Sequence, residues 1–122
     1  MKQHDRDLEL IQVILGDCKT LEKRLARFAM TEQSFVNDHS DDGELAYDAV
    51  MSPVYRIAED ALHLSDDVQT FAPDYPWNDI RGFRNFVAHG YREVDREIAW
   101  KVVTESIPEL SRVLQSYLEK SE

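Results

Sequence analysis

Residues 81–92 read Arg-Gly-Phe-Arg-Asn-Phe-Val-Ala-His-Gly-Tyr-Arg: three arginines, an amide, an imidazole and a phenol, without one acidic side chain. A guanidinium stays charged at physiological pH and offers a planar fork of donors that matches phosphate oxygens. An imidazole, with an ordinary pKa of about 6.5, takes and returns a proton near neutrality. These residue types suit holding a phosphate beside a group that moves protons. On a helix of about 100° per residue, Trp77, Arg81, Arg84, Asn85, Ala88, His89 and Tyr91 share an arc of about 160°. Ile80, Phe83, Phe86, Val87 and Gly90 fall on the other side, which is the expected core face. A solvated face usually carries Lys and Glu. The arc around Ala88 has neither, and it holds two large aromatics that water does not favour.

Taken singly, each residue has an ordinary reading. His89 alone would be a helix-end histidine bonding a carbonyl, and Tyr91 an amphipathic packing residue. Arg84 alone would be a surface ion pair, but its own stretch offers no acid to pair with. Arg81 and Arg92 would be solubilising, and Trp77 and Trp100 packing residues.

The elements that must position these residues read as helices. From Asp5 to Ala29, Leu8, Ile11, Ile14, Cys18, Leu21, Leu25 and Phe28 recur at steps of three and four, which is helical spacing. Thr31 is placed to cap a short turn through Val36, and residues 37–43 read as a polar loop. Ala46, Val50, Ile57, Ala61, Leu64 and Val68 form a second stripe. Pro53 inside it predicts a kink, or a restart with Ser52 as cap, because proline lacks an N–H and crowds the preceding turn. Pro73-Asp74-Tyr75-Pro76 is a stiff connector to a third helix, from about Trp77 to Gly90. Asp95 looks like the cap of a fourth, with Ile98, Val102, Leu110, Leu114 and Leu118 inward and Pro108 bending it. No period-2 alternation calls for a strand. The expected fold is all-α: an up-down four-helix bundle, its second helix kinked, with room for a short extra helix, and residues 1–122 forming a single domain.

Composition bounds the partners. Net charge is −10, which disfavours a protein that coats duplex nucleic acid. The excess is uneven: residues 1–70 hold 15 acids against 7 bases, and residues 71–122 hold 9 against 7. A small, weak, salt-sensitive anion site on an acidic body is compatible with that split. The single cysteine, Cys18, excludes an intrachain disulfide and a Cys-based zinc site; on its apolar stripe it reads as a buried small hydrophobe. Asp38–Gly43 looks like the start of a calcium loop, but Ala49 stands where a bidentate Glu is needed, so no metal site is expected there. His4 and His63 show no partner at a telling spacing. Without an apolar leader or an 18-residue apolar run, the expectation is a soluble cytoplasmic chain that does not enter a membrane.

The run Arg84-Asn85-Phe86-Val87-Ala88-His89-Gly90-Tyr91 has the form R-N-x-x-x-H-x-Y. It resembles the HEPN ribonuclease superfamily, whose signature is Arg, four to six residues, then His; the trailing Tyr is similar to the HepT-like toxins within it. Pro76-Trp77, Ile80-Arg81-Gly82-Phe83, Val94-Asp95 with Ile98 and Trp100, and Pro108-Glu109-Leu110 resemble the same family. Ile57-Ala58-Glu59-Asp60-Ala61 is similar to its I-G-E-A segment, except that Ala58 replaces the Gly and Asp60 is inserted before Ala61; the departure touches no residue expected to be catalytic.

The resemblance implies a metal-independent endoribonuclease, without cofactor, that uses the RNA's own 2′-OH and leaves a 2′,3′-cyclic phosphate. His89 is then the general acid/base and Arg84 the phosphate clamp. Asn85, one turn before His89, orients the imidazole or the phosphate, and Arg81 adds positive field. It also implies a homodimer that joins two motifs in one cleft, to which the apolar Trp77/Ala88 side is suited. A further implied partner is a nucleotidyltransferase antitoxin that places AMP on Tyr91, adding charge and bulk where RNA phosphate must bind. The alternative is a non-catalytic helical accessory subunit of such a nucleotidyltransferase.

Overall fold

A computed structural model describes residues 2–90 and 94–121, and His89 by its backbone alone. Helical spacing becomes seven α-helices among the described residues, with no strand: α1 (Lys2–Arg27), α2 (Glu32–Asn37), α3 (Asp41–Ala61), α4 (Asp66–Phe71), α5 (Trp77–Gly90), α6 (Arg96–Lys101) and α7 (Ile107–Ser121). A π-helical turn, Val102–Ser106, joins α6 to α7. The fold is an all-α helical bundle whose long members are α1, α3, α5 and the α6–α7 rod.

In α1, Ile11, Ile14, Cys18 and Leu21 are buried, following the stripe read from the sequence. The helix ends in a paired closure: Met30 N–H reaches the Leu25 carbonyl (2.9 Å) and Ala29 N–H the Ala26 carbonyl (3.1 Å). Ala29 takes the left-handed conformation this needs, at φ 46°. Thr31 caps α2 as expected, in a reciprocal box with Ser34. The expected loop 37–43 shrinks to 38–40, because the Ser40 hydroxyl accepts the Gly43 N–H (3.1 Å) and starts α3 early. Gly43 is needed there, since a Cβ would collide with the side chain and backbone of Asp38.

Three contacts show that α1 and α3 run antiparallel. Arg24 reaches Ala49 (2.7 Å), Arg56 reaches Asp17 (3.1 Å), and Asp7 accepts the Ser65 N–H (3.0 Å) just beyond α3. The first of these answers the proline. The expected restart at Ser52 is absent: α3 is one helix with Pro53 buried inside it. Pro53 has no N–H for the Ala49 carbonyl four residues back, and the Arg24 guanidinium supplies the donor instead. The second stripe also divides differently. α3 stops at Ala61, and Leu64 and Val68, though buried, belong to a turn and to α4. Asp7, itself 1% exposed, takes the Ser65 N–H and hydroxyl and so ties α1 to the start of α4.

Asp95 caps α6 as expected, accepting the N–H groups of Glu97 (2.9 Å) and Ile98 (3.3 Å). Pro108 is accommodated by the π-helical turn before it, where the Ile107 N–H bonds the Val102 carbonyl five residues back. The buried Tyr75 hydroxyl donates to Ser106 O at 2.8 Å in that turn. An aromatic group of Phe35, Tyr47 and Trp100 fills the far end of the core, with centroids 5.1 Å apart on either side of Phe35. Arg96 stacks on the Tyr47 ring (3.8 Å) and bonds both Glu44 oxygens at 2.9 Å. Cys18 is buried, and desolvation pushes its thiol up to about 11. No helix among the described residues is long and apolar enough to cross a membrane.

Candidate active site

α5 is anchored at its start by Trp77. The indole N–H donates to Ala72 O (2.9 Å), and the ring meets Tyr75 edge-on at 4.8 Å. Trp77 is only 9% exposed and belongs to the core with Ile80 and Phe83, in keeping with its reading as a packing residue, whereas its place on the arc opposite the core face is corrected. The chain folds back on itself just before the helix, and that turn covers the first residue of the wheel's polar side. Phe86 is corrected in the opposite direction: it is 51% exposed, as is Ile98 of α6 at 55%, although both were expected inward. The two line an open groove of about 540 Å3 between α5 and α6, with Phe83, Val94 and Val102.

The outer surface of α5 carries Arg81, Gly82, Asn85 and Ala88, all exposed. Arg84 sits on the flank toward α3, half-buried. Its Nε donates to Glu59 Oε1 (2.9 Å), its Nη2 reaches Oε2 (3.5 Å), and its Nη1 reaches Asn85 Oδ1 (3.3 Å). The acid that the motif's own stretch lacks thus arrives from a neighbouring helix. Arg84 above all holds the Glu59 carboxyl below its ordinary range. His63, one turn along, adds a contact to Glu59 Oε2 (3.3 Å), a pairing that sequence spacing had not flagged. Arg81 is turned elsewhere, its Nη1 on Asn78 Oδ1 (2.7 Å) and its Nη2 on Gln69 Oε1 (3.5 Å).

The structure therefore brings Arg84 and Asn85 together and adds Glu59, which sequence reasoning met only as part of a resembling segment. Arg81 lies one turn away with different partners. His89 stands on α5, four residues beyond Asn85, with its side chain outside the described residues; Tyr91 and Arg92 lie wholly outside them. His39 of the rejected calcium-like loop bonds Glu44 (3.0 Å). No cluster of three or more His, Cys, Asp or Glu suited to a metal occurs among the described residues.

An all-α bundle with Arg84 and His89 in the sequence of one helix, the arginine held from the neighbouring helix, has the build of a HEPN-type helical protein. The chain matches the Ribonuclease HepT-like family over residues 14–117 and belongs to that family. It is similar to a Methanocaldococcus jannaschii protein named as a candidate RNase, 28% identical over 55% of this chain and 62% of that one. It is also similar to a Thermococcus cleftensis protein named as a candidate ribonuclease HepT, 32% identical over 51% of this chain and 56% of the relative. A third, from Caldanaerobacter subterraneus and likewise named as a candidate RNase, is 26% identical over 90% of this chain and 92% of its own length. The match spans about three-fifths of the first two relatives. No solved structure matches the chain.

Proposed function

We propose that this chain is an endoribonuclease that cleaves RNA through the RNA's own 2′-OH. In this reading Arg84 offers phosphate oxygens the guanidinium edge that Glu59 leaves open, and His89 moves the proton. The 2′ oxygen loses its proton and bonds to phosphorus, and the bond to the 5′ oxygen breaks. That oxygen gains a proton, leaving a 2′,3′-cyclic phosphate and a 5′-hydroxyl. No metal or cofactor enters. Asn85, in contact with Arg84, orients the reacting groups, and Arg81 adds field. The observation that carries the reading is membership of the HepT-like family across residues 14–117, with Arg84, His89 and Tyr91 all present in the sequence.

Incubation with total cellular RNA in EDTA should give fragments with cyclic-phosphate ends; His89→Ala should give none, and Arg84→Ala should cut far more slowly but measurably. Equal inactivity of wild type and variants on every RNA class would refute it. The Arg84–Glu59 ion pair favours, as a second reading, a binding subunit of a nucleotidyltransferase in which Arg84 is structural. Partner capture that survives Arg84→Ala, in a protein without nuclease activity, would select that reading.

The proposal includes a second copy and an antitoxin in the cytoplasm. With Trp77 in the core, the apolar surface that supports a homodimer is Phe86 with Ile98 beside the motif helix. Phe86→Glu should give a monomer by light scattering and lose cleavage. The antitoxin would transfer AMP from a nucleoside triphosphate to the Tyr91 hydroxyl with release of pyrophosphate. A mass gain of AMP units mapped to Tyr91 after co-expression tests this.

A further inference from the structure

A guanidinium can be approached along two edges, Nε with Nη2 and Nη1 with Nη2. In Arg84 the first edge is taken by Glu59, at 2.9 Å and 3.5 Å. On the second edge Nη1 donates to the amide oxygen of the exposed Asn85 at 3.3 Å, a neutral acceptor that an incoming phosphate would displace. Glu59 is itself steadied by His63 one turn along the chain, at 3.3 Å. The recess between Glu59 and Arg84, walled by Tyr55, Ala58, Val87 and Ala88, holds about 110 Å3, too little for a nucleotide. A nucleotide therefore does not lie within that recess, and the edge of Arg84 that carries no carboxylate contact is Nη1 with Nη2.

We infer that Glu59 is a positioning residue for Arg84: its carboxylate fixes the guanidinium so that the open edge is presented to the scissile phosphate. The inference rests on the ribonuclease reading. Glu59 acts in two opposed ways. As an acceptor it restricts a long side chain that otherwise samples many rotamers, which favours a transition state that needs the clamp in one place. As a charge it lies close to where a phosphate must bind and opposes it. Both partners are partly exposed, the side chains 34% and 47%, so attraction within the pair is screened and orientation is its main contribution.

Substitutions separate the two effects. On a fluorescently labelled single-stranded RNA, Glu59→Ala should lower kcat at least tenfold. Glu59→Gln keeps the acceptor without the charge and should hold kcat within about threefold of wild type, with an unchanged or lower KM. Glu59→Asp keeps the charge but draws it back by one methylene, and should fall with the alanine variant. In an Arg84→Ala background Glu59→Ala should cost no more than twofold, because the residue it positions is gone. A slowly exchanging Arg84 Nε–H signal by NMR should persist in wild type and Glu59→Gln and vanish in Glu59→Ala. The inference is overturned if an active wild type and Glu59→Ala share the same kcat. It is also overturned if Glu59→Asp retains full kcat, or if Glu59→Ala is as costly without Arg84 as with it. A wild type that cuts no RNA overturns the ribonuclease reading and this inference together; an active wild type indifferent to Glu59 overturns this inference alone.

Discussion

Pro53 lies well inside α3, where its missing N–H leaves the Ala49 carbonyl without a helical donor, and Arg24 Nη1 fills the gap from α1 at 2.7 Å. The perturbation that tests this is Arg24→Ala, made in wild type and in Pro53→Ala. In wild type the carbonyl loses a charge-assisted bond; such bonds contribute about 1.5–3 kcal/mol. Arg24 is half-buried, so water recovers part of that and the expected loss is about 1–2 kcal/mol. In Pro53→Ala, residue 53 brings its own N–H, the helix closes its ladder, and Arg24→Ala becomes a surface change costing about 0.5 kcal/mol or less. The coupling should thus be about 1 kcal/mol. Pro53→Ala by itself mixes a gain in helix propensity with loss of buried ring contacts, and the cycle cancels both. Urea unfolding followed by far-UV circular dichroism measures all four proteins, with slopes checked for equality. An equal cost of Arg24→Ala in both backgrounds would refute the link between the guanidinium and the proline.

Ala29, at φ 46°, holds a conformation that glycine adopts without strain, so Ala29→Gly should stabilise by about 1 kcal/mol, read as a rise in Tm of about 4 °C; a fall would show that α1 does not close in this way. Gly43→Ala places a Cβ against the Asp38 side chain and backbone and should cost about 1–3 kcal/mol in the same urea assay. Contacts from His39 and then Arg96 hold the Glu44 carboxyl below its ordinary 4.5. A carboxyl depressed on folding lends stability that is present above the unfolded value and is lost as pH falls through the folded one. Stability should accordingly decline as pH drops below about 4.5, and Glu44→Gln should flatten that decline; an unchanged acid limb would count against the pair.

Much of the fold was legible because helix periodicity and caps are local. The α1 stripe, Thr31 and Asp95 as caps, and a buried Cys18 follow from residues within a few positions of one another. What escaped was non-local. Pro53 predicts a break, and only a donor 29 residues upstream lets the helix continue. Leu64 and Val68 keep helical spacing with α3, yet Asp7 of α1 rewards a new helix start at Ser65. A wheel gives direction but not how far the neighbours reach, so Phe86 and Ile98 emerged from the expected core while Trp77 was covered by the turn that precedes it. At the candidate site Arg84 could be named from its motif. Its partner could not, because Glu59 is brought in by the packing of α3 on α5 and the sequence signal for it was a segment that only resembles the family's.

That partner changes how charge is distributed around the motif. Arg84, the expected clamp, is offset by Glu59, whereas Arg81 bonds the neutral amide oxygens of Asn78 and Gln69 and so keeps its full charge. In the proposed reading the two arginines divide the work: Arg81 supplies long-range attraction and Arg84 supplies placement. Attraction from Arg81, which has no ion-pair partner among the described residues, on a body of net charge −10 is weak and falls off within about 8 Å at physiological ionic strength. Placement through a fixed guanidinium edge is short-range and survives salt. On that proposal the site would capture RNA poorly yet would stabilise the phosphorane once the phosphate is seated. Selectivity then rests on which RNA can present a phosphate to that edge, and a second copy, by adding a second Arg81, would raise capture without altering the geometry at Arg84.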